Sequence, residues 1–413
     1  MIFQGIINRR VFMIFLIPFL LGLISVLSFQ PFNLTFINFF IFPSLFFVLT
    51  FVNKRSRNIY RKKPFLRNLF FVGHSFGVGF FISCTYWISN SLTFDESFKL
   101  LIPFAIFVLP VFLGLFFGFG TLAIGPFLKN NLNSLILFSL TFSLIDFIRG
   151  KILTGFPWNL WAYSWSWFEE AIQILNIIGL YAFNFLTITL FLFPALFFLN
   201  KKKINYLIAA SLILIFFSNY IYGSIQINNK KDNYISNTMS KNQKVIKIIS
   251  PNFDLRYDLT PEEIGINIDK LIKFSAPEKD KQTIFVWPEG VFSGYNFDEI
   301  KIFKNKFNKN FNENHLIIFG INKKNEKNIF NSFVMINNEF EILYQYNKRK
   351  LVPFGEFLPF ESLIKKIGFK TITRGYSSFT PGKDLKTLDI DNYRILPLIC
   401  YEIIFPELIQ KIN

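Results

Sequence analysis

The sequence predicts a multi-span α-helical membrane domain followed by an α/β domain. Of the 413 residues, 52% are hydrophobic and 19% are aromatic. Such a composition is typical of a membrane protein. Apolar runs near the length of about 20 residues that spans a bilayer fill the first half, and short β-rich runs alternate with helical patterns in the second.

Seven apolar runs are candidate membrane-spanning helices. They lie at 11–29, 34–52, 68–90, 100–128, 131–149, 171–199 and 204–222. The first run lacks a clear small-residue cleavage site after it, so we expect it to stay as an anchor rather than to be removed as a signal peptide. The predicted membrane domain therefore covers residues 1–223.

Basic residues predict the orientation of these spans. Arg9 and Arg10 precede the first span, seven Lys and Arg residues occupy the loop at 54–67, and Lys201, Lys202 and Lys203 precede the last span. Cytoplasmic loops carry such an excess of Lys and Arg. Seven spans from a cytoplasmic N-terminus place everything after about residue 223 outside the cytoplasm.

Charge and cysteine content exclude several classes of function. The formal net charge is +17, but the basic residues occur in short runs beside apolar segments, so we expect no nucleic-acid partner. Cys84 lies in an apolar run and forms a poor disulfide partner for the distant Cys400. With two histidines in the chain, we expect no metal site of zinc type.

A polar segment separates the two predicted domains. Residues 224–240 have no apolar period and are interpreted as a linker. The second domain, 241–413, contains the β-rich runs VIKIIS, TIFVW, HLIIFG, SFVMIN, ILYQY and RILPLI. Thr260 is a candidate N-cap of a helix that begins at Pro261.

Polar side chains follow several of these predicted strands. Glu289 in WPEG is either a solvated loop glutamate or a carboxylate that projects over the strand ends. Lys348, in YNKRKLVPFGEFLPF, is either one of a solvated basic cluster or a site residue, together with Glu356. Phenylalanines flank this cluster, which is less typical of a plain surface loop.

Cys400 in RILPLICYEIIFP is either a small buried hydrophobe or a nucleophile at the end of a strand. A turn into a helix there would direct backbone N–H groups at the thiol and favour its ionised form. Neither histidine is a plausible partner. A carboxylate base such as Glu289 with a cation such as Lys348 is the arrangement that remains.

The blocks WPEG, YNKRKLVPFGEFLPF and ICYEIIFPE, in this order, resemble those of the nitrilase superfamily. Together with a multi-span N-terminal half, they resemble in particular the apolipoprotein N-acyltransferases. SFQPFN, TYWISNSL and RGKILTGFPWNLWAYS are similar to membrane-domain loops of that family, and SPNFD and NSFVMIN to its early strand blocks. The resemblance covers most of the chain.

The resemblance implies a nitrilase-like α-β-β-α sandwich and a triad of Glu289, Lys348 and Cys400. It also implies supporting or substrate-binding roles for Glu356, Tyr401, Glu402 and Trp158. The implied reaction transfers an acyl chain from a phospholipid, through a cysteine thioester, to the N-terminal amine of a diacylated apolipoprotein. It implies no cofactor, because the lipid ester already supplies an activated acyl group. We expect a monomer in the bacterial inner membrane, with its catalytic domain on the periplasmic side.

Two alternatives stay open at this point. One is a membrane-anchored amidohydrolase of nitrilase type, in which water resolves the thioester. The other is an inactive membrane scaffold, because the family pattern continues beyond its CYE block whereas this sequence ends at Asn413. We therefore expect the catalytic domain to be incomplete. The tryptophan-rich segment GFPWNLWAYSWSWF is either an interfacial aromatic belt or the border of a lipid entry route.

Overall fold

The computed structural model describes residues 11–59, 64–93, 96–199, 203–238, 244–253, 256, 258–326, 328–357, 359, 378–390 and 393–409. The chain divides into two units, Met1–Asn233 and Tyr234–Asn413. The first unit is helical, and the second contains a mixed β-sheet with helices. The predicted fold class, a helical membrane domain followed by an α/β domain, is confirmed.

Helices of the first unit follow the predicted apolar runs. In chain order they are α1 (Ile17–Ile24), α2 (Asn38–Ile59), α3 (Pro64–Thr85), α4 (Ile102–Ile124), α5 (Leu132–Arg149), α6 (Glu169–Ile172), α7 (Leu175–Phe191), α8 (Ala195–Phe198) and α9 (Lys203–Thr238). A π-helical turn, Phe12–Leu16, precedes α1, and a 3-10 turn, Ser25–Ser28, follows it.

Five helices of the described residues are long and apolar enough to cross a bilayer. These are Thr35–Arg55, Phe65–Leu92, Lys99–Phe127, Leu132–Arg149 and Lys203–Lys231. The first and sixth predicted spans form shorter apolar helices, Phe12–Ser28 and Leu175–Phe191. In the sixth, Gly179 departs from helical geometry with φ 75°, and a turn interrupts the helix before α8. Seven spans stays a prediction.

Small residues let α3 and α4 approach closely. A Cβ added to Gly77 would lie 2.8 Å from the Cα of Gly114, so only glycine fits there. Thr121 Oγ1 donates a hydrogen bond of 2.9 Å to the carbonyl of Leu69 across the same pair. Close packing through small residues and interhelical hydrogen bonds is how helices associate in lipid.

The tryptophan-rich segment lies partly inside the helical core. Trp161 and Trp165 are buried, and the ring of Trp161 lies 4.7 Å from those of Phe42 and Phe80. Trp167 is more exposed, and its Nε1 donates to Thr35 Oγ1. Trp161 and Trp165 therefore fit neither an interfacial aromatic belt nor the border of a lipid entry route, because their rings fill the interior of the unit.

Helix α9 is 36 residues long and continues into the segment that the sequence analysis assigns to a linker. Residues 224–238 are helical, and 239–243 lie outside the described residues. Polar residues without an apolar period extend an existing helix at little cost, because propagation fixes one residue for each hydrogen bond gained. Near Gly223, Asn219 Nδ2 donates to the carbonyl of Ala171 at 2.9 Å.

The second unit contains β1 (Val245–Ile248), α10 (Pro261–Ser275), β2 (Thr283–Val286), α11 (Phe297–Ile300), α12 (Lys304–Asn310), β3 (His315–Lys324), β4 (Ile329–Ile336), β5 (Ile342–Asn347), β6 (Leu388–Ile390), β7 (Tyr393–Ile395) and α13 (Pro406–Ile409). Five strands form one sheet in the order β1-β2-β3-β4-β5, and β6 pairs with β7. Five of the six predicted strand runs are thus confirmed.

Local sequence explains where α10 begins and which face it buries. Thr260 accepts from the backbone N–H of Glu263, whose carboxylate accepts from the N–H of Thr260. This is a capping box, and the predicted N-cap is confirmed. Ile264, Ile268 and Leu271 follow at helical spacing and are buried against the sheet.

The run RILPLI was predicted as a strand that ends at Cys400, and this is wrong for most of its length. Strand β7 ends at Ile395, and the following residues have no regular structure. Pro397 has no backbone N–H to donate to a ladder. Cys400 instead begins a 3-10 helix, Cys400–Ile404.

Sheet topology places the candidate residues at the same end of the strands. Strands β2 and β3 are parallel, and β4 is antiparallel to both β3 and β5. The carboxyl ends of β2 and β5 therefore meet the amino end of β4 at the same edge. Glu289 follows β2, Lys348 follows β5, and Asn331 is near the start of β4.

Candidate active site

Glu289 lies in a tight turn after β2. Trp287 anchors this turn: its backbone N–H donates to Ile318 and its Nε1 to Ser275 Oγ. Gly290 has φ 81°, a left-handed conformation that favours glycine. Glu289 is exposed, and its Oε1 accepts a hydrogen bond of 3.1 Å from Asn331 Nδ2. An exposed carboxylate at a strand end is accessible to a reacting group.

Lys348 is buried, with 1% of its surface exposed. Its backbone N–H donates to Asn331, and its Nζ donates to Glu356 Oε1 at 3.0 Å. A buried ammonium requires a partner of opposite charge. Glu356 is fixed in turn, since its Oε2 accepts from the N–H of Val352 at 2.8 Å. The sequence-predicted residues Lys348 and Glu356 are therefore an ion pair.

Lys350, the neighbouring alternative in the same basic cluster, is directed elsewhere. Its Nζ lies 3.5 Å from Glu407 Oε1 and 4.7 Å from the ring centre of Phe405. Lys350 is also more exposed than Lys348. This geometry favours Lys348 as the lysine of the site.

Cys400 occupies a strained turn. Its φ is 49°, in the left-handed region that a residue with a side chain adopts at a cost of about 1–2 kcal/mol. The residue is exposed. Strain of this kind at an accessible thiol is typical of a functional position.

Burial of the sulfur's surroundings is the main cause that raises the pKa of the Cys400 thiol. The residue as a whole is exposed, but protein atoms around the thiol still remove water from it. The negative charge of Glu289 also raises this pKa, whereas Lys348 and a hydrogen bond from the backbone N–H of Tyr401 lower it. The thiol therefore lies within the electrostatic field of the other two residues of the predicted triad, and it needs a base near neutral pH.

Glu402 joins two turns of the site. It is fully buried. Its Oε1 accepts from Tyr346 Oη at 2.7 Å and from the backbone N–H groups of Arg349 and Lys350 at 2.7 and 3.1 Å. Its Oε2 accepts from the N–H of Ile399 at 2.9 Å. One carboxylate thus fixes the turn after Lys348 and the turn before Cys400.

Tyr401 lies next to Cys400 in the second unit, whereas Trp158 lies in the helical unit. Tyr401 is half-buried, and its ring makes an edge contact with Phe405 at 5.1 Å, while its backbone N–H faces the Cys400 sulfur. Trp158 belongs to the helical unit, where its ring lies 5.2 Å from that of Trp87. Its carbonyl accepts from Arg149 Nη1 at 2.7 Å.

Sequence reasoning missed a buried polar cluster in the helical unit. Arg149 pairs with Asp146 at 2.9 Å, and Asn184 Nδ2 donates to the second oxygen of Asp146. Arg149 also donates to the carbonyls of Phe156 and Trp158, so the cluster holds the GFPW turn. The signal was an aspartate and an arginine within an apolar run, where ionisable residues are costly.

Asn331 is a second residue that sequence reasoning missed. Its Nδ2 donates to Glu289 Oε1 at 3.1 Å and to Glu356 Oε1 at 3.0 Å. Nothing in the pattern of NSFVMIN distinguishes this asparagine from a solvated strand residue. Its position follows only from the register that pairs it with Asn322 on β3 and brings its carbonyl to the N–H of Lys348.

Comparison with known proteins shows the family. Residues 21–193 match the family model of the apolipoprotein N-acyltransferase N-terminal domain, and residues 266–413 match that of carbon-nitrogen hydrolases. Apolipoprotein N-acyltransferases of Rickettsia typhi and Rickettsia prowazekii are each 30% identical, over 96% of this chain and 77% of the relative. That of Bradyrhizobium diazoefficiens is 27% identical, over 93% of this chain and 73% of the relative.

The matches extend over both units and carry the nitrilase-superfamily assignment of the second. The predicted nitrilase-like character of the α/β unit is confirmed. The chain belongs to the apolipoprotein N-acyltransferase family.

Proposed function

We propose that the chain moves an acyl group from a phospholipid to the α-amine of a diacylglyceryl-cysteine at the N-terminus of an apolipoprotein, with Cys400 as the acyl carrier. Its family membership supports lipoprotein N-acylation. The observation that carries the residue assignment is a connected set of hydrogen bonds. Asn331 links Glu289 to the Lys348–Glu356 ion pair, and Glu402 joins the turn after Lys348 to the turn before the exposed Cys400.

In the first half of the proposed reaction, Glu289 takes the thiol proton and the Cys400 sulfur attacks the ester carbonyl of the phospholipid. The ammonium of Lys348 and the N–H of Tyr401 stabilise the negative charge that develops on the carbonyl oxygen. The carbon–oxygen bond of the ester breaks, and the lysophospholipid leaves with the proton held by Glu289. A thioester on Cys400 remains.

In the second half, the amine of the acceptor attacks the thioester. Glu289 takes a proton from the attacking nitrogen, the carbon–sulfur bond breaks, and the sulfur of Cys400 recovers the proton. An ester and an amine have become an amide and an alcohol, so the two half-reactions balance without an external energy source. This is ping-pong acyl transfer.

Glu356 and Glu402 act as positioning residues in this proposal. Glu356 fixes the Lys348 ammonium through the 3.0 Å ion pair. Glu402 fixes the turns on which Lys348 and Cys400 lie. Burial of both carboxylates supports this role, because neither is presented to solvent as the exposed Glu289 is.

Hydrolysis of the thioester by water is not favoured, because the match includes the N-terminal domain of the acyltransferase family as well as the hydrolase-like domain. The five membrane-capable helices and the family make the chain a bacterial membrane protein. That it lies in the inner membrane with its second unit in the periplasm is part of the proposal, and the charge pattern of the loops supports it.

Mass spectrometry of the acceptor tests the proposal. The protein is reconstituted in phospholipid vesicles with a synthetic diacylglyceryl-cysteine peptide, and we expect the peptide to gain the mass of one acyl chain. Cys400→Ala should abolish this gain. Cys84→Ala is the matched control, since Cys84 is buried in the helical unit, and it should retain the gain. An unchanged peptide with released fatty acid would indicate hydrolysis, and acylation by Cys400→Ala would exclude Cys400 as carrier.

A further inference from the structure

We infer that Asn331 is a positioning residue of the acyl-transfer site, which holds the carboxylate of Glu289 in a fixed orientation beside the Lys348–Glu356 ion pair. The inference rests on the proposed function, since it assigns to Glu289 the role of base. It concerns an amide that lies between the base and the Lys348–Glu356 ion pair and touches both.

Hydrogen-bond chemistry dictates how this amide is oriented. An asparagine NH2 group has two hydrogens, and here one is donated to Glu289 Oε1 and the other to Glu356 Oε1. The opposite orientation would place the amide oxygen against two carboxylates. Carboxylate oxygens accept hydrogen bonds, so the donating orientation is the favourable one. One amide nitrogen therefore links the two carboxylates.

The strand ladder holds Asn331 in place independently of its side chain. It pairs with Asn322 of β3, and its carbonyl accepts from the N–H of Lys348 at 2.8 Å. The backbone thus holds the amide in position, and the amide can in turn fix the two carboxylates. Its hydrogen bond to Oε1 restricts the rotation of the Glu289 carboxylate.

The charges around Glu289 make such a donor necessary. Glu356 is a second carboxylate, linked to Glu289 through the shared amide, and the ammonium of Lys348 is already bound to Glu356. Cys400 faces the same group and becomes negative during the reaction. Gly320 of β3 lies beneath Glu289 and contributes no charge. Asn331 is therefore the neutral donor that offsets the repulsion among these groups.

The lipid dependence of thioester formation tests this inference. The reconstituted protein is mixed with vesicles that contain an increasing mole fraction of phosphatidylethanolamine with a radioactive acyl chain, and the hydroxylamine-labile label on the protein is measured in a single turnover. Misplacement of a catalytic group lowers the maximal rate constant and leaves the half-saturating lipid fraction unchanged. Asn331→Ala should therefore lower the maximal rate constant by about 10-fold or more. Asn331→Asp, which cannot donate to Glu289, should lower it as well.

Asn337→Ala is the matched control. Asn337 also donates from Nδ2 to a glutamate, Glu341, at 2.9 Å, and it lies just after β4. Its maximal rate constant and its half-saturating lipid fraction should match those of the parent protein. For both Asn331 variants, the half-saturating lipid fraction should also stay at the parent value, because Asn331 positions the base and does not bind the lipid.

A parent-like maximal rate constant in both variants, or a change confined to the half-saturating lipid fraction, overturns the inference. The nearly isosteric Asp variant decides the matter if the Ala variant does not fold. Cys400→Ala is measured alongside. A label that persists in Cys400→Ala overturns the proposed nucleophile, whereas a label lost there together with a parent-like rate constant in the Asn331 variants overturns only the role of Asn331.

Discussion

Glu289 affects Cys400 in two opposite ways. Its negative charge raises the pKa of the thiol, and as a base it removes the thiol proton during the proposed reaction. Glu289→Gln removes the negative charge and keeps the shape of the side chain. This substitution therefore separates the electrostatic effect on the thiol from the role as base.

We predict that Glu289→Gln lowers the pH at which Cys400 reacts with iodoacetamide and yet slows thioester formation by about 100-fold or more. The sign follows from the charge: a neutral neighbour no longer opposes the thiolate, so the thiol ionises at lower pH. The measurement is the alkylation rate of Cys400 against pH, localised by mass spectrometry. Glu262→Gln, at an exposed glutamate in the first turn of α10, is the control and should leave the profile unchanged. An unchanged midpoint in Glu289→Gln would contradict the electrostatic contact.

Sequence patterns identify reactive residue types more readily than their partners. Glu289, Lys348 and Cys400 are indicated by their place after β-rich runs and by the family blocks, and their roles stay a prediction. Asn331 is not indicated, because its importance depends on strand register. Lys348 and Lys350 are neighbours in one basic cluster, and only the packing of Phe405 and Glu407 against Lys350 separates them physically.

At the scale of elements, the turns after β5 and before the 3-10 helix depend on one acceptor. Glu402 accepts four hydrogen bonds, one of them from a tyrosine hydroxyl and three from backbone N–H groups. A buried anion with all its donors in place is stable, whereas loss of its charge leaves donors unsatisfied. The negative charge also compensates the N–H dipoles that point toward it.

We predict that Glu402→Gln destabilises the second unit by about 3 kcal/mol, because its amide nitrogen faces donors and cannot accept from them. The measurement is thermal unfolding of the detergent-solubilised protein. Glu341→Gln is the matched control, since Glu341 is exposed and accepts from the side chain of Asn337. Its effect should be much smaller. Equal stability of Glu402→Gln and the parent would show that the four hydrogen bonds do not hold the turns.

Element boundaries show where sequence patterns succeed and where they fail. The strands β1 to β5 and the N-cap of α10 were predicted, because β-branched runs and a capping box are local signals. The run RILPLI is equally apolar, but Pro397 and the turn at Cys400 end its pairing early. Helix α9 continues into polar sequence because an existing helix propagates regardless of apolar period.

The whole molecule has a predicted orientation that follows from its basic loops. We predict that a cysteine at Lys279 reacts with a membrane-impermeant maleimide in intact spheroplasts, and that a cysteine at Lys54 reacts only after the membrane is permeabilised. Both lysines are exposed, so access to the reagent depends on the side of the membrane. The background protein is Cys84→Ala, Cys400→Ala. Labelling of the Lys54 position in intact spheroplasts, or protection of the Lys279 position, would contradict the predicted orientation.

The double attachment of Glu402 also has a consequence for the order in which the site is completed during synthesis. Arg349 and Lys350 leave the ribosome more than 50 residues before the acid that accepts their N–H groups. The turn that carries Lys348 therefore stays unfinished until the segment around Cys400 has been made. Because Glu402 also accepts from Ile399, the turns that carry Lys348 and Cys400 gain their shared acceptor at the same point of synthesis.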